Sequence, residues 1–182
     1  MKITHLHTEY FENPLGLGER SPRFFWQLQS NRAGARQTAY RVVCASHEQQ
    51  LENTDLWDSC WTQSDASTHI VYGGPNLSSR QRVFWRVEIE DESGARISSD
   101  TAWFEMGLLE KSDWSAQWIE TPLCGGPQTT APVPCLKREF GLEKPLDEIA
   151  SARLYVTALG LYECFLNGTR VGDEELAPGW TD

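Results

Sequence analysis

The sequence predicts an all-β fold: an antiparallel β-sandwich of the fibronectin or immunoglobulin type, followed by a shorter β-rich region. Three observations carry this expectation. Apolar residues recur with period two, as in strands that bury one face and wet the other. Breakers rich in Gly, Pro, Asn and Asp fall at short, regular intervals between these runs. Stretches with helical spacing are nearly absent.

The clearest strand covers residues 83–90, where Val83, Trp85, Val87 and Ile89 point one way while Arg86, Glu88 and Glu90 point the other. Asp91-Glu92-Ser93-Gly94 supplies a turn, after which residues 97–106 return antiparallel. Upstream, residues 24–29 and 40–45 read as strands separated by a polar loop at 30–36, with shorter strands at 55–62 and 69–72. Gly73-Gly74-Pro75-Asn76 breaks the chain ahead of the Val83 strand, because glycine reaches positive φ and proline removes a ladder donor.

Character changes over residues 108–133. Residues 108–113 suit a short turn of helix, and the cluster Pro122, Gly125-Gly126-Pro127, Pro132 and Pro134 reads as a linker or long surface loop. The expected organisation is a sandwich over 1–107, a linker over 108–133 and a second module over 134–182. In that last part residues 135–140 and 152–159 read as strands. Residues 162–171 read as a hairpin turning at Asn167-Gly168, since Asn-Gly favours the type I′ turn that matches the twist of paired strands. About four strand candidates are few for an independently stable sandwich.

Composition narrows the function classes. Forty per cent hydrophobic and 23% charged residues suffice to close a core, which argues against disorder. The 26 acidic against 16 basic residues give a net charge of −10, which repels phosphate backbones, so nucleic acid and anionic membrane are poor partners. Cys44, Cys60, Cys124, Cys135 and Cys164 are odd in number, scattered and never in a Cys-x-x-Cys arrangement, which favours a reduced, cytoplasmic setting. The opening Met1-Lys2-Ile3-Thr4-His5 leads into polar and acidic residues rather than the apolar stretch of a secretory signal, and no run approaches the roughly 20 apolar residues of a membrane helix. Two sequons, at Asn76 and Asn167, are short enough to arise by chance.

Chemistry-bearing patterns are sparse. Glycosidic cleavage needs two carboxyl groups at a set separation, one acting as acid and the other as base or nucleophile. The acidic clusters Glu88/Glu90/Asp91/Glu92 and Asp173/Glu174/Glu175 lie on a wet strand face with its turn and just past a hairpin, where solvated charge is the commoner role. His5 and His7 stand two apart on one face of any N-terminal strand, the start of a two-ligand metal seat, but no third ligand is placed beside them. Gly-x-Ser-x-Gly is absent, and Gly16-Leu17-Gly18 lacks the following helix that a phosphate-binding loop requires. No catalytic residue, metal ligand or cofactor is therefore assigned.

Eight tryptophans are a high load for this length, and indole faces are platforms for sugar rings. Trp26 and Trp85 fall inside apolar strand patterns and read as core. Trp57, Trp61, Trp114, Trp118 and Trp180 fall near strand ends or connections. They are the candidate carbohydrate contacts, with packing against a neighbouring domain as the competing role.

An ordered series of segments resembles the N-terminal region of glycoside hydrolase family 78, the bacterial α-L-rhamnosidases. Asn13-Pro14-Leu15-Gly16 with Pro22-Arg23-Phe24-Phe25-Trp26-Gln27-Leu28 is similar to the first strand of that family's fibronectin-III-like sandwich, and Gln37-Thr38-Ala39-Tyr40-Arg41-Val42 to its second. Leu56-Trp57-Asp58-Ser59, Phe84-Trp85-Arg86-Val87 and Trp103-Phe104-Glu105-Met106-Gly107 continue the same module. The stretch 152–162, then 166–172 with its Asn167-Gly168, then Leu176-Ala177-Pro178-Gly179-Trp180-Thr181-Asp182, resembles the start of the jelly-roll module that follows.

The resemblance implies a fibronectin-III-like β-sandwich followed by a partial, truncated jelly-roll. It also implies that the acid and base glutamates of inverting hydrolysis sit in a later (α/α)₆ barrel outside these residues. The chain is then expected to be inactive alone, supporting or flanking the catalytic barrel, with glycan contact as a further expected role. Expected partners are the rest of a rhamnosidase chain or a second copy pairing through open strand edges, and rhamnose-containing glycans. The rival readings are a stand-alone carbohydrate-binding module and a fibronectin-like module for protein interaction or self-association.

Overall fold

The computed structural model describes residues 1–123, 125–175 and 177–178. The chain divides into two units, Met1–Trp118 and Ile119–Asp182. The strands of the first unit are β1 (Lys2–Thr8), β2 (Arg23–Gln29), β3 (Gln37–Ala45), β4 (Trp57–Asp58), β5 (Thr62–Gln63), β6 (Ile70–Val71), β7 (Arg82–Asp91), β8 (Arg96–Ser98) and β9 (Ala102–Glu105). One sheet has the order β1-β2-β6. The other is built on β3 and β7, with β4 and β5 along one side of β3 and β8 and β9 along the far side of β7. All strand pairs are antiparallel, so the all-β sandwich expected for the first region is what forms.

The two sheets close on one core. Phe24 and Trp26 come from β2; Tyr40, Val42 and Cys44 from β3; Val83, Trp85, Val87 and Ile89 from β7; Ala102 and Phe104 from β9. Phe24 sits at its centre, with ring centroids 4.6 Å from Trp85 and 6.1 Å from Phe104, separations at which tilted aromatic pairs add to simple burial. Burial also pushes the Cys44 thiol up, leaving it inert packing.

One polar clamp crosses this apolar interior. The Gln37 side chain is fully buried. Its Oε1 accepts the Trp26 indole N–H at 2.9 Å, while its amide donates to the carbonyls of Ser64 and Ala66 at 3.1 and 2.8 Å. A buried amide is tolerable only when its bonds are made, and this one links β2, β3 and the segment before β6.

Several local expectations shift under tertiary constraint. The predicted 55–62 strand divides into β4 and β5, with Cys60 between them at φ 54°. The predicted return strand at 97–106 likewise divides into β8 and β9. Between them Ser99 donates its N–H to the Val87 carbonyl and accepts the Val87 N–H on its hydroxyl, occupying the ladder groups a continuous strand would use. Strand β3 is buried on both faces: Val43 and Ala45 pack with Leu51 and the edge of Phe84, because residues 46–56 fold back over that side. Gly73 and Gly74 do break the chain, but for want of space rather than φ. A Cβ on Gly73 would lie 3.1 Å from the Trp57 ring, and one on Gly74 would lie 2.3 Å from the Tyr72 hydroxyl.

Of the second unit, the described residues hold one hairpin, β10 (Phe165–Leu166) with β11 (Thr169–Arg170). Asn167 and Gly168 have φ of 50° and 82°, the paired positive values of a type I′ turn. The predicted strands at 135–140 and 152–159 do not form ladders. A strand needs a neighbour to take its N–H and C=O groups, and no described segment lies in register beside them. Among the described residues after Trp118 none is buried.

Two measurements probe these constraints. Replacing Gln37 by Ala strands the buried Trp26 N–H and removes the donor to two part-buried carbonyls, so urea unfolding should show a loss of about 2–4 kcal/mol. Asp91 accepts hydrogen bonds from the Ser93 hydroxyl and the N–H groups of Ser93 and Ala95, and these, led by Ser93, hold its carboxyl down at about 2. Because the folded value lies below the unfolded one near 3.9, this stabilisation is complete above about pH 4 and disappears as pH falls toward 2. Asp91→Asn should flatten the acid limb of the stability curve in that window and leave its slope above pH 5 unchanged.

Candidate functional site

The acidic clusters are structural. Arg41 forks onto Asp58 at 2.9 and 2.6 Å and reaches Glu88 at 3.3 Å; Arg86 bridges Glu52 and Glu88; Arg96 holds Glu90; Arg32 holds Asp91 and Glu92. Asp173, Glu174 and Glu175 are exposed, with Glu175 4.0 Å from Arg170. A glycosidase acid must hold its proton near neutrality, which requires a raised pKa. Wherever a carboxyl among the described residues is shifted, it is shifted down: Glu9 by Arg23, Glu52 by Arg86, Asp58 by Arg41, Asp113 by the Ser79 hydroxyl and Glu92 by the Arg36 N–H. None of these groups is poised to donate a proton.

The candidate tryptophans are dispersed. Trp57, on β4, is half-buried, stacked 15° from the Phe24 plane at 6.1 Å and edge-on to Tyr72 at 5.5 Å. It finishes the rim of the core. Trp61 has one face covered by the Arg96 guanidinium, 4.4 Å from the ring centroid. Trp114 and Trp118, at 40% and 68% exposure, follow the last strand of the sandwich. Trp180 lies outside the described residues. Among the described residues no ring contact joins any two of these tryptophans.

A different surface does gather aromatic and polar groups: the outer face of β1 and β2. Their register pairs Thr4 with Gln27 and His7 with Phe25, so β1 carries one extra residue between those rungs. This bulge puts His5 at φ 50° and brings its ring to 6.3 Å from that of His7, nearly parallel. Glu12 approaches both imidazoles, at 3.9 and 3.8 Å. No group of three His, Cys, Asp or Glu among the described residues is placed to hold a metal ion.

Beside the histidines, Tyr10 leans on Phe25 at 5.0 Å, and His69 meets Phe25 edge-on at 4.9 Å. Beside them lies a hollow of ≈ 300 Å³ lined by His5, His7, Tyr10, Phe25, Trp26, Gln27 and Thr68. The available sequence signal was Phe25 itself. With Phe24 and Trp26 pointing inward, alternation leaves a third large ring on the wet side of the strand.

Comparison with known proteins places this geometry. Residues 3–110 match the family described as the Rha78A-like N-terminal immunoglobulin domain, and residues 147–182 match the α-L-rhamnosidase N-terminal domain. Immunoglobulin and fibronectin modules share the sandwich architecture. An α-L-rhamnosidase of Alteromonas sp. (strain LOR) is 43% identical over 95% of this chain and 20% of its own length, and one of Streptomyces avermitilis is 34% identical over 99% and 19%. Among solved structures, the α-L-rhamnosidase of Dictyoglumus thermophilum superposes with a TM-score of 0.85 at 30% identity, over 100% of this chain and 22% of that one. The Streptomyces avermitilis α-L-rhamnosidase complexed with L-rhamnose superposes with a TM-score of 0.65 at 40% identity, over 69% and 12%. The chain thus spans about a fifth of the length of the relatives it matches. It belongs to the Rha78A-like N-terminal immunoglobulin domain family and corresponds to the N-terminal region of α-L-rhamnosidases.

Proposed function

We propose that this chain serves as the non-catalytic N-terminal portion of an α-L-rhamnosidase of glycoside hydrolase family 78, carrying structure for a bond-cutting domain supplied by further chain. The observation that supports this most is the contrast between the two units. The first closes an aromatic core of its own. The second leaves Val133, Leu146, Leu154, Leu159 and Phe165 in solvent, Val133 and Leu159 above 90%. Apolar side chains at that exposure on a folded protein mark a surface that another element covers.

The relatives provide roughly four-fifths of their length beyond the matched stretch, which is ample material for that cover. In this reading the second unit is the beginning of a jelly-roll whose remaining strands come later in the same polypeptide. The ion-paired, low-pKa carboxylates fit a supporting role, since none offers an acid to a glycosidic oxygen.

Two experiments test the reading. The purified chain should show no turnover of an aryl α-L-rhamnoside, and turnover that survives to a single species on gel filtration would refute it. In hydrogen exchange, amides over residues 134–171 should exchange quickly in this chain and become protected, by at least about 100-fold, when the polypeptide is extended to the length of its relatives. If the same protection instead rises with concentration alongside a doubled mass in light scattering, a second copy of the chain provides the cover, through strand edges that pair between molecules.

A further inference from the structure

The hollow on the outer face of β1 and β2 is shallow and open, and its shape follows from strand register and local backbone. Its floor is set by the register that turns Phe25 and Gln27 outward from β2. Its rim depends on four residues with left-handed backbone, His5, Glu9, Tyr10 and His69, at φ of 50°, 52°, 81° and 57°. None is glycine, so each conformation is costly and persists only where its surroundings enforce it.

The enforcement is visible at Tyr10. Glu9 takes the Arg23 guanidinium at 3.0 and 2.6 Å and the Arg23 backbone N–H at 2.6 Å, and the same guanidinium lies 5.2 Å from the Tyr10 ring centroid. The ring is thereby propped beside Phe25 with much of its surface still in solvent. Ordering an exposed aromatic in advance removes the entropy cost of ordering it on binding.

The lining selects the ligand class. Tyr10 and Phe25 offer ring faces to C–H groups. Gln27, Thr68 and the imidazoles of His5 and His7 offer hydrogen-bonding groups. Polyanions are disfavoured by Glu12 beside the two imidazoles and by the net charge of −10. A cationic ligand would have to share the Tyr10 ring with Arg23. A purely apolar partner would bury the Gln27 amide and two imidazoles without hydrogen bonds. Alternating apolar faces and hydrogen-bonding groups, in a hollow of ≈ 300 Å³, suit one or two pyranose rings.

We infer that this face is a contact site for a neutral pyranoside, a glycan subsite on the N-terminal sandwich formed chiefly by Tyr10, Phe25, Gln27, Thr68, His5 and His7 rather than by Trp57, Trp61, Trp114 or Trp118. The choice of sugar rests on the α-L-rhamnosidase reading above, so the probe is methyl α-L-rhamnoside.

Titration of the ¹⁵N-labelled chain should give saturable amide shifts concentrated at His7, Tyr10, Phe25, Gln27 and Thr68, with a Kd in the millimolar range. Gln27→Ala removes an exposed polar contact without touching the core, and should weaken binding roughly 3- to 10-fold with the thermal midpoint unchanged. Tyr10→Ala should weaken it at least as much. Absence of saturable shifts up to about 50 mM sugar, far beyond a millimolar Kd, overturns the inference. So do shifts that ignore both substitutions, or exchange protection of this face in the extended polypeptide with no response to sugar. A null titration leaves the non-catalytic reading intact, because that reading falls only to turnover of the aryl rhamnoside.

Discussion

The register of β2 is the constraint on which the first unit depends. Phe24 and Trp26 enter the space between the sheets, where Phe24 meets Trp85, Phe104 and Trp57, and Trp26 meets Tyr40 at 5.5 Å and the Gln37 amide. A slip of one residue would exchange the faces of the strand, sending Phe25 inward and exposing Phe24 and Trp26. The same alternation presents Phe25 and Gln27 outward beside His7 and Thr4. Core and candidate sugar surface are thus two sides of one strand and cannot be set independently.

Around that strand, charge is handled by pairing rather than avoidance. Arginines 32, 41, 86 and 96 each hold carboxylates on the wet side of the larger sheet. Most of these pairs are solvent-touched and contribute little singly. Together they engage the carboxylates of that face in ion pairs. Gln37 is a deeply buried polar group between the sheets, and it is accepted because its three hydrogen bonds tie the two sheets to the loop between them.

The two units differ in how far local signals are fulfilled. In the first, long-range ladders from β3 and β7 satisfy the backbone and bury both sheets' inner faces. In the second, apolar runs with the composition of strands lie open, and among the described residues the hairpin at Asn167-Gly168 is the one strand pair that forms, since its pairing needs no residue more than a few positions away. This separation of local from long-range stabilisation is what a supporting module joined to a larger polypeptide would show.

Much of the sandwich was legible in the sequence because its signals are local. The alternation Val83, Trp85, Val87, Ile89 determines which face of β7 is buried, and Asn167-Gly168 determines its turn through backbone φ alone. What only the tertiary structure decided arises between residues distant in the chain. The covering of the second face of β3 by residues 46–56, the packing of Trp57 against Phe24, and the meeting of His5, Tyr10 and His69 around Phe25 are examples. Period and turn chemistry report how a segment sits on a sheet, but not which other segment arrives to cover it or to share its solvent face, because that depends on the closed arrangement of all the strands at once.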